Sequence, residues 1–274
     1  ETDSVRNFNY GTVMVPVSKQ KVDSEKLFEV VKSTQEKFSV PVFSTETGYS
    51  SAGIDLGSNY FRINKKVNVA MLIGDGVSSY EAGEVWHLLD TRVHIPLTKI
   101  RLNQFNRTSL DKYTTLVMVS GTYNQISEQG IKKIKDWVGK GNTLITIGSA
   151  SSWAIKKEIV KESLVETKKD TIFSRKRYID AREYSGRERI GGSILKADLD
   201  LTHPLAFGYR DKSIPVYKNN NVFLNKSKSH YSSVAIYSKQ PHIDGYVSKK
   251  NIEENLKGSA SLVVSKLGSG RVIL

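Results

Sequence analysis

Between residues 67 and 155, apolar runs of strand length alternate with amphipathic runs of helix length, and this alternation restricts the fold more than any other feature. VNVAMLIG (67–74) is apolar almost throughout, the pattern of a strand covered on both faces. SSYEAGEVWHLLDT (78–91) reads as a helix. Its Ser78 and Glu81 stand at capping-box spacing, so the hydroxyl can accept from a free first-turn N–H, a contact worth about 1 kcal/mol. IPLTKIRL (95–102), TTLVMVSG (114–121) and NTLITIG (142–148) are further strands. SEQGIKKIKDWVGKG (127–141) sets Ile131, Ile134 and Val138 on one face, with Gly139 or Gly141 at its end, and SASSWAI (149–155) opens another helix. The expected fold class is α/β, with a parallel, right-handed sheet.

The flanks differ from this centre. Residues 1–66 read as a βαβ segment: YGTVMVPV (10–17), DSEKLFEVVKSTQEKF (23–38) and VPVFST (40–45). Asp23 fits the helix N-cap, and Leu27, Val30, Val31 and Phe38 recur at helical spacing. GYSSAGIDLGSN (48–59) reads as an irregular loop. Residues 156–190 read as a polar, solvated connection. Residues 191–274 turn β-rich, with strands in GGSILKADLDL (191–201), SSVAIYS (232–238) and SLVVSKLGSGRVIL (261–274). Gly268, Ser269 and Gly270 mark a hairpin turn in the last. The sequence opens on Glu1 without a signal-like segment and closes on strand-like RVIL, so a fragment of a longer protein is expected.

Composition narrows the chemistry. Among 274 residues there is no cysteine, which excludes disulfides, thiolate zinc ligands and thiol nucleophiles. The five histidines (87, 94, 203, 230 and 242) form no H-x-x-E or H-E-x-x-H run, so no intrinsic zinc is expected. The net charge of +13 is concentrated in residues 151–274, which hold 23 basic and 13 acidic side chains. A basic half can attract nucleic acid or an anionic surface, but no nucleic-acid motif accompanies it, and a solvated face is the preferred reading. The longest apolar run is far short of the ~20 residues a membrane-spanning helix needs.

In open α/β sheets ligands sit beyond the carboxyl ends of the strands. Three such ends carry small residues: Gly74-Asp75-Gly76, Ser120-Gly121-Thr122 and Gly148-Ser149-Ala150-Ser151. Asp75, Gly76, Ser120, Gly121 and Ser151 are therefore pocket candidates, although tight βα turns need small residues in any case. IGSASSW (147–153) has the form of a strand–turn–helix nucleophile elbow with Ser149 at its tip. A serine nucleophile needs a histidine base, and no spacing assigns His87 or His203 to Ser149. Ser151 also stands where G-x-S-x-G has its second glycine. Gly74-Asp75-Gly76 does not extend to a dinucleotide-binding G-x-G-x-x-G. Gly83 inside the capped helix suggests close packing over it, since glycine there costs about 1 kcal/mol against alanine.

Several stretches together resemble a known arrangement: GDGVSSYEAGEVWHLLDTRVHIPLTKI (74–100), LVMVSGTYN (116–124), WVGKGNTLITIGSASSWAI (137–155), LDLTHPLAFGY (199–209) and GSGRVIL (268–274). They are similar to the class I glutamine-amidotransferase-like domain that follows the catalytic domain in a group of bacterial zinc carboxypeptidases. TGYSSAGIDLGSNYFR (47–62) resembles the joining segment of that group. The resemblance implies a flavodoxin-like sheet with helices on both faces over 67–274, after an N-terminal segment, 1–66, that follows a peptidase domain upstream. In such domains the elbow carries cysteine; here Ser149 stands there, which argues against glutamine hydrolysis. Glu84 matches the position of a glutamate that a related branch brings to the elbow. The resemblance further implies a non-catalytic accessory domain of an exported metallocarboxypeptidase. Its partner would be the upstream peptidase domain, which alone would hold zinc; the chain itself would have no cofactor. A second copy of the chain is a further possible partner, and an independent serine hydrolase using Ser149 is the alternative.

Overall fold

The computed structural model describes residues 7–8, 11–61, 63–64, 66–166, 175–187 and 189–274. The chain divides into two units, Glu1–Lys66 and Val67–Leu274.

In the first unit one helix forms, α1 (Ser24–Phe38), capped by Asp23, whose carboxylate accepts from Lys26 N at 2.7 Å. The expected flanking strands are absent: described residues 11–17 and 40–45 enter no ladder, and Tyr10 lies outside the described residues. The βαβ expectation for 1–66 is thereby corrected, for two physical reasons. Pro16 and Pro41 sit inside the two runs and cannot donate to a ladder. The apolar side chains of these runs are also left uncovered by the described residues, with Val13, Val17 and Val42 68%, 75% and 41% exposed. Two strands without a covered face are marginal at best.

The second unit opens with β1 (Val69–Ile73), α2 (Ser79–His87), β2 (Leu97–Arg101), β3 (Thr115–Met118), α3 (Glu128–Gly139), β4 (Thr143–Thr146) and α4 (Ser149–Lys156). After α5 (Ala181–Arg187) come β5 (Ser193–Leu199), β6 (Ser213–Lys218), β7 (Ser233–Gly245), β8 (Ala260–Leu267) and β9 (Gly270–Ile273). One nine-stranded sheet runs β2-β1-β3-β4-β9-β8-β7-β5-β6. Its first five strands are parallel, in the flavodoxin-like order, and the remaining contacts are antiparallel. The fold is α/β with a β-rich C-terminal part.

Helices cover both faces of the parallel half. On β1, Val69 and Met71 face Ala82, Val85 and Leu89 of the first helical segment. Ala70 and Leu72 face the other way, into a core with Ile134, Trp137 and Val138 of α3 and Ala150, Trp153 and Ala154 of α4. This two-residue alternation, both faces apolar, is why the run reads as continuous. A second core, around Leu195, Ala197, Val234, Tyr237 and Leu256, backs the antiparallel half. No helix among the described residues is long and apolar enough to cross a membrane.

Three local expectations change. The helix expected over 78–91 ends as an α-helix at His87 and continues as a π-helical turn, Leu88–Val93, closed by His94 in the left-handed region at φ 54°. A methyl on Gly83 would meet nothing within 4 Å, so no close packing explains that glycine. The connection after α4 is not wholly solvated: Ile159 and Val160 are buried, Leu164 bridges to Leu224, and 178–187 is helical. Residues 167–174 and 188 of that stretch lie outside the described residues.

Candidate functional site

The turns after β1, β3 and β4 meet at the carboxyl edge of the parallel half, and their backbones interlock. Ser78 N donates to Ser120 O at 2.8 Å, and Thr122 N donates to Gly76 O at 2.7 Å. Val77 and Gly121 form an isolated bridge. A methyl on Gly121 would lie 2.6 Å from Gly76 O, and one on Gly76 would lie 2.9 Å from Thr122 O. At these two candidates glycine serves backbone-to-backbone approach, and protein fills the space a ligand would take.

The sharp reversal between β4 and α4 falls on Gly148, at φ 57° and ψ −124°, and Ser149 is the first residue of the helix. The tip of the elbow is therefore a residue without a side chain, and Ser149 sits one step along. Its Oγ accepts from Gly121 N at 2.9 Å and donates to Gly121 O at 3.2 Å. Ser149 N donates to Ser120 Oγ at 3.2 Å. Ser151 lies beneath, buried, donating to Thr146 O at 3.0 Å. The Ser149 and Ser151 hydroxyls thus pin the turn.

The acid that reaches this edge is Glu81. Its Oε2 accepts from Ser120 N at 2.8 Å, while Glu84 is exposed and its carboxylate has no hydrogen-bond partner among the described residues. Helical geometry gives the reason. Ala82, Val85 and Leu89 define the inward stripe; Glu81 borders it, and Glu84 stands about 200° from Ala82, on the far side. The capping box is only half made, because the Ser78 hydroxyl accepts from Glu81 N at 3.4 Å while the Glu81 carboxylate crosses to β3. The capping-box spacing and the stripe were the signals that single out Glu81.

No histidine is hydrogen-bonded to Ser149. His203 Nδ1 accepts from Leu205 N at 3.1 Å, capping the turn at Pro204–Ala206. His94 and His242 contact the Asp90 and Gly245 carbonyls. Among the described residues no three of His, Asp or Glu stand together as a metal would need.

Two buried groups flank the edge. The Tyr123 hydroxyl donates to Val119 O at 2.5 Å, and burial, with the Glu81 charge second, pushes its pKa well above the ordinary tyrosine value. Lys218, 7% exposed at the end of β6, donates to Asn220 Oδ1 at 3.0 Å and Val222 O at 2.5 Å. Asn220 lies beside the elbow, its amide nitrogen 3.5 Å from where a methyl on Gly148 would stand. Burial lowers the Lys218 pKa from 10.5 to about 8.

The lowered value sets a pH dependence. Below about pH 8 the folded chain holds a buried ammonium that the unfolded chain would hydrate, at a cost of roughly 3 kcal/mol. Between about 8 and 10.5 the folded lysine is neutral while the unfolded one stays charged, so stability rises with pH. Tyr237, pushed up by burial from 10.0 to about 12, acts in the opposite sense above pH 10. Denaturant melts of the parent and Lys218→Met should therefore converge or cross. The parent should gain roughly 2–3 kcal/mol on the variant between pH 7 and pH 10. Parallel stability profiles would contradict a buried, titrating Lys218.

At the ends of β1 and β2 a cavity of about 360 Å³ opens, lined by Ile73, Gly74, Asp75, Arg101, Leu102, Asn103 and Gln125. Of the five pocket candidates only Asp75 lines it.

No protein-family model matches the sequence, and no curated protein matches it. Among solved structures, similar chains include a ThuA-like protein from Parabacteroides merdae, with 11% identity over 76% of this chain and 78% of that one and a TM-score of 0.46. A ThuA-like protein from Bacteroides uniformis shows 9% identity over 78% and 84%, also with a TM-score of 0.46. The GH42 β-galactosidase Gan42B from G. stearothermophilus shows 14% identity over 77% of this chain with a TM-score of 0.37, and this chain spans 27% of its length.

Proposed function

We propose that the chain is a non-catalytic accessory domain of an exported bacterial zinc metallocarboxypeptidase, docked in the whole protein against its peptidase domain. One observation carries the non-catalytic part: the elbow tip is Gly148, and the neighbouring Ser149 hydroxyl is held by Gly121 N and O. An acyl-transfer site needs a free nucleophile, a base and two oxyanion donors. Here the hydroxyl already donates its proton to a carbonyl, no histidine is bonded to it, and the nearby Gly121 N–H donates to Ser149 itself rather than to an oxyanion. Glu81 is engaged with Ser120 N and offers no base to Ser149. The identity of the parent protein, its zinc and its extracytoplasmic location rest on the sequence resemblance over 74–155, 199–209 and 268–274.

The purified chain and Ser149→Ala should be assayed on ester, glutamine and C-terminal peptide substrates. Neither is expected to turn over above buffer. Turnover in the parent chain that disappears in Ser149→Ala would establish the serine hydrolase instead. The coding frame ahead of Glu1 should encode H-x-x-E followed by a later histidine; a frame with no such pair would remove the carboxypeptidase assignment.

A further inference from the structure

The cavity at the ends of β1 and β2 holds two opposite charges that do not neutralise each other. Arg101 closes β2, level with Ile73 of β1, and Asp75 lies two residues further along the β1 turn. Both are exposed, both line the same space, and neither forms an ion pair with the other or with any described residue. Gln125 braces the turn by donating to Asp75 O at 3.3 Å, which leaves the Asp75 carboxylate uncommitted. The lining also includes Asn103, the half-buried Ile73, and Leu102, whose side chain is buried in the core.

We propose that this cavity binds a free α-amino acid in its zwitterionic form, with an aliphatic side chain against Ile73. A guanidinium and a carboxylate facing one space select against ligands of a single charge. Phosphate would meet Arg101 but be repelled by Asp75, and a metal cation would meet Asp75 but be repelled by Arg101. A zwitterion satisfies both: its carboxylate takes the planar fork of Arg101 and its ammonium takes Asp75, each as a charge-assisted hydrogen bond. The volume of about 360 Å³ is at the small end of ligand sites and is ample for one amino acid. This inference goes beyond the accessory-domain reading and does not depend on it; within that reading it would let the domain sense what its peptidase releases.

Calorimetric titration of the chain with L-leucine, N-acetyl-L-leucine and L-leucinamide tests the assignment. L-Leucine is expected to bind saturably, with a Kd of roughly 10 µM to 1 mM. Blocking either end of the zwitterion should weaken binding at least about tenfold, as the loss of one charge-assisted contact predicts. Arg101→Gln and Asp75→Asn should each do the same while melting like the parent, since both side chains are exposed and unpaired. The proposal is overturned if neither L-leucine nor any other aliphatic L-amino acid binds below about 10 mM. It is equally overturned if the blocked compounds bind as tightly as L-leucine, or if both variants keep the parent affinity. None of these results alters the expected absence of turnover at Ser149.

Discussion

Gly121→Ala is expected to lower the stability of the second unit by about 3 kcal/mol, the scale of a buried steric clash that cannot relax. The added methyl would stand 2.6 Å from Gly76 O and 3.1 Å from Val77 Cα. Both are backbone atoms, and both are tied in place by Thr122 N to Gly76 O and Ser78 N to Ser120 O. Relief requires parting the β1 and β3 turns, which would also strain the Ser149 contacts to Gly121 N and O. At roughly 2–4 °C per kcal/mol for a unit of this size, the midpoint should fall by about 6–12 °C. Gly83→Ala is the matched control: its methyl meets open space within α2, so it should hold or raise the midpoint. Equal midpoints for Gly121→Ala and the parent would show that the two turns are not interlocked.

The parallel half was legible because burial on both faces leaves little room for polar residues. β1, β3 and β4 read as apolar runs, Ser78 marked the start of α2, and Gly139 and Gly141 marked the end of α3. The antiparallel half was less so. β6 went unread because SIPVYK contains Pro215, alternates exposure and ends in a buried lysine. β7 extends to Gly245 through KQPHIDG, a polar stretch held by backbone pairing with β5, and backbone pairing leaves no side-chain signature. The candidate site divides along the same line. Small residues at the strand ends were visible, but not that Gly121 meets Gly76, because contacts across 45 positions have no local pattern. Placing Ser149 at the tip missed by one residue. The clue was Gly148 itself, since glycine alone is comfortable at φ 57° and ψ −124°. Glu84 rests on the resemblance, whereas the direction of a helical side chain follows from the apolar stripe, and that stripe favours Glu81.

Gly270→Ala should have the largest effect of any single methyl added to the chain. Gly270 opens β9, the strand that joins the two halves of the sheet, parallel to β4 on one side and antiparallel to β8 on the other. Its added methyl would overlap the carbonyl oxygens of Val138 and Asn142 and stand 2.9 Å from Val138 C. Those carbonyls belong to the last turn of α3 and to the turn into β4, where Ser269 N already donates to Gly139 O at 2.9 Å and Arg271 N to Asn142 O at 3.1 Å. The hairpin tip and the helix end are thus fitted backbone to backbone, and no side chain can swing aside. Accommodation means displacing β9, which loosens both ladders and uncovers Val272 and Leu144 in the main core. A loss above about 4 kcal/mol is expected, enough to leave much of the chain unfolded at 37 °C. Denaturant melts should show the midpoint collapse in Gly270→Ala and hold in Ser269→Ala, whose side chain is not part of the clash. Hydrogen exchange should speed up first in β9, β4 and β8. A Gly270→Ala chain that melts with the parent would mean that α3 and the β8–β9 hairpin are not in contact, and the joint between the two halves would have to lie elsewhere.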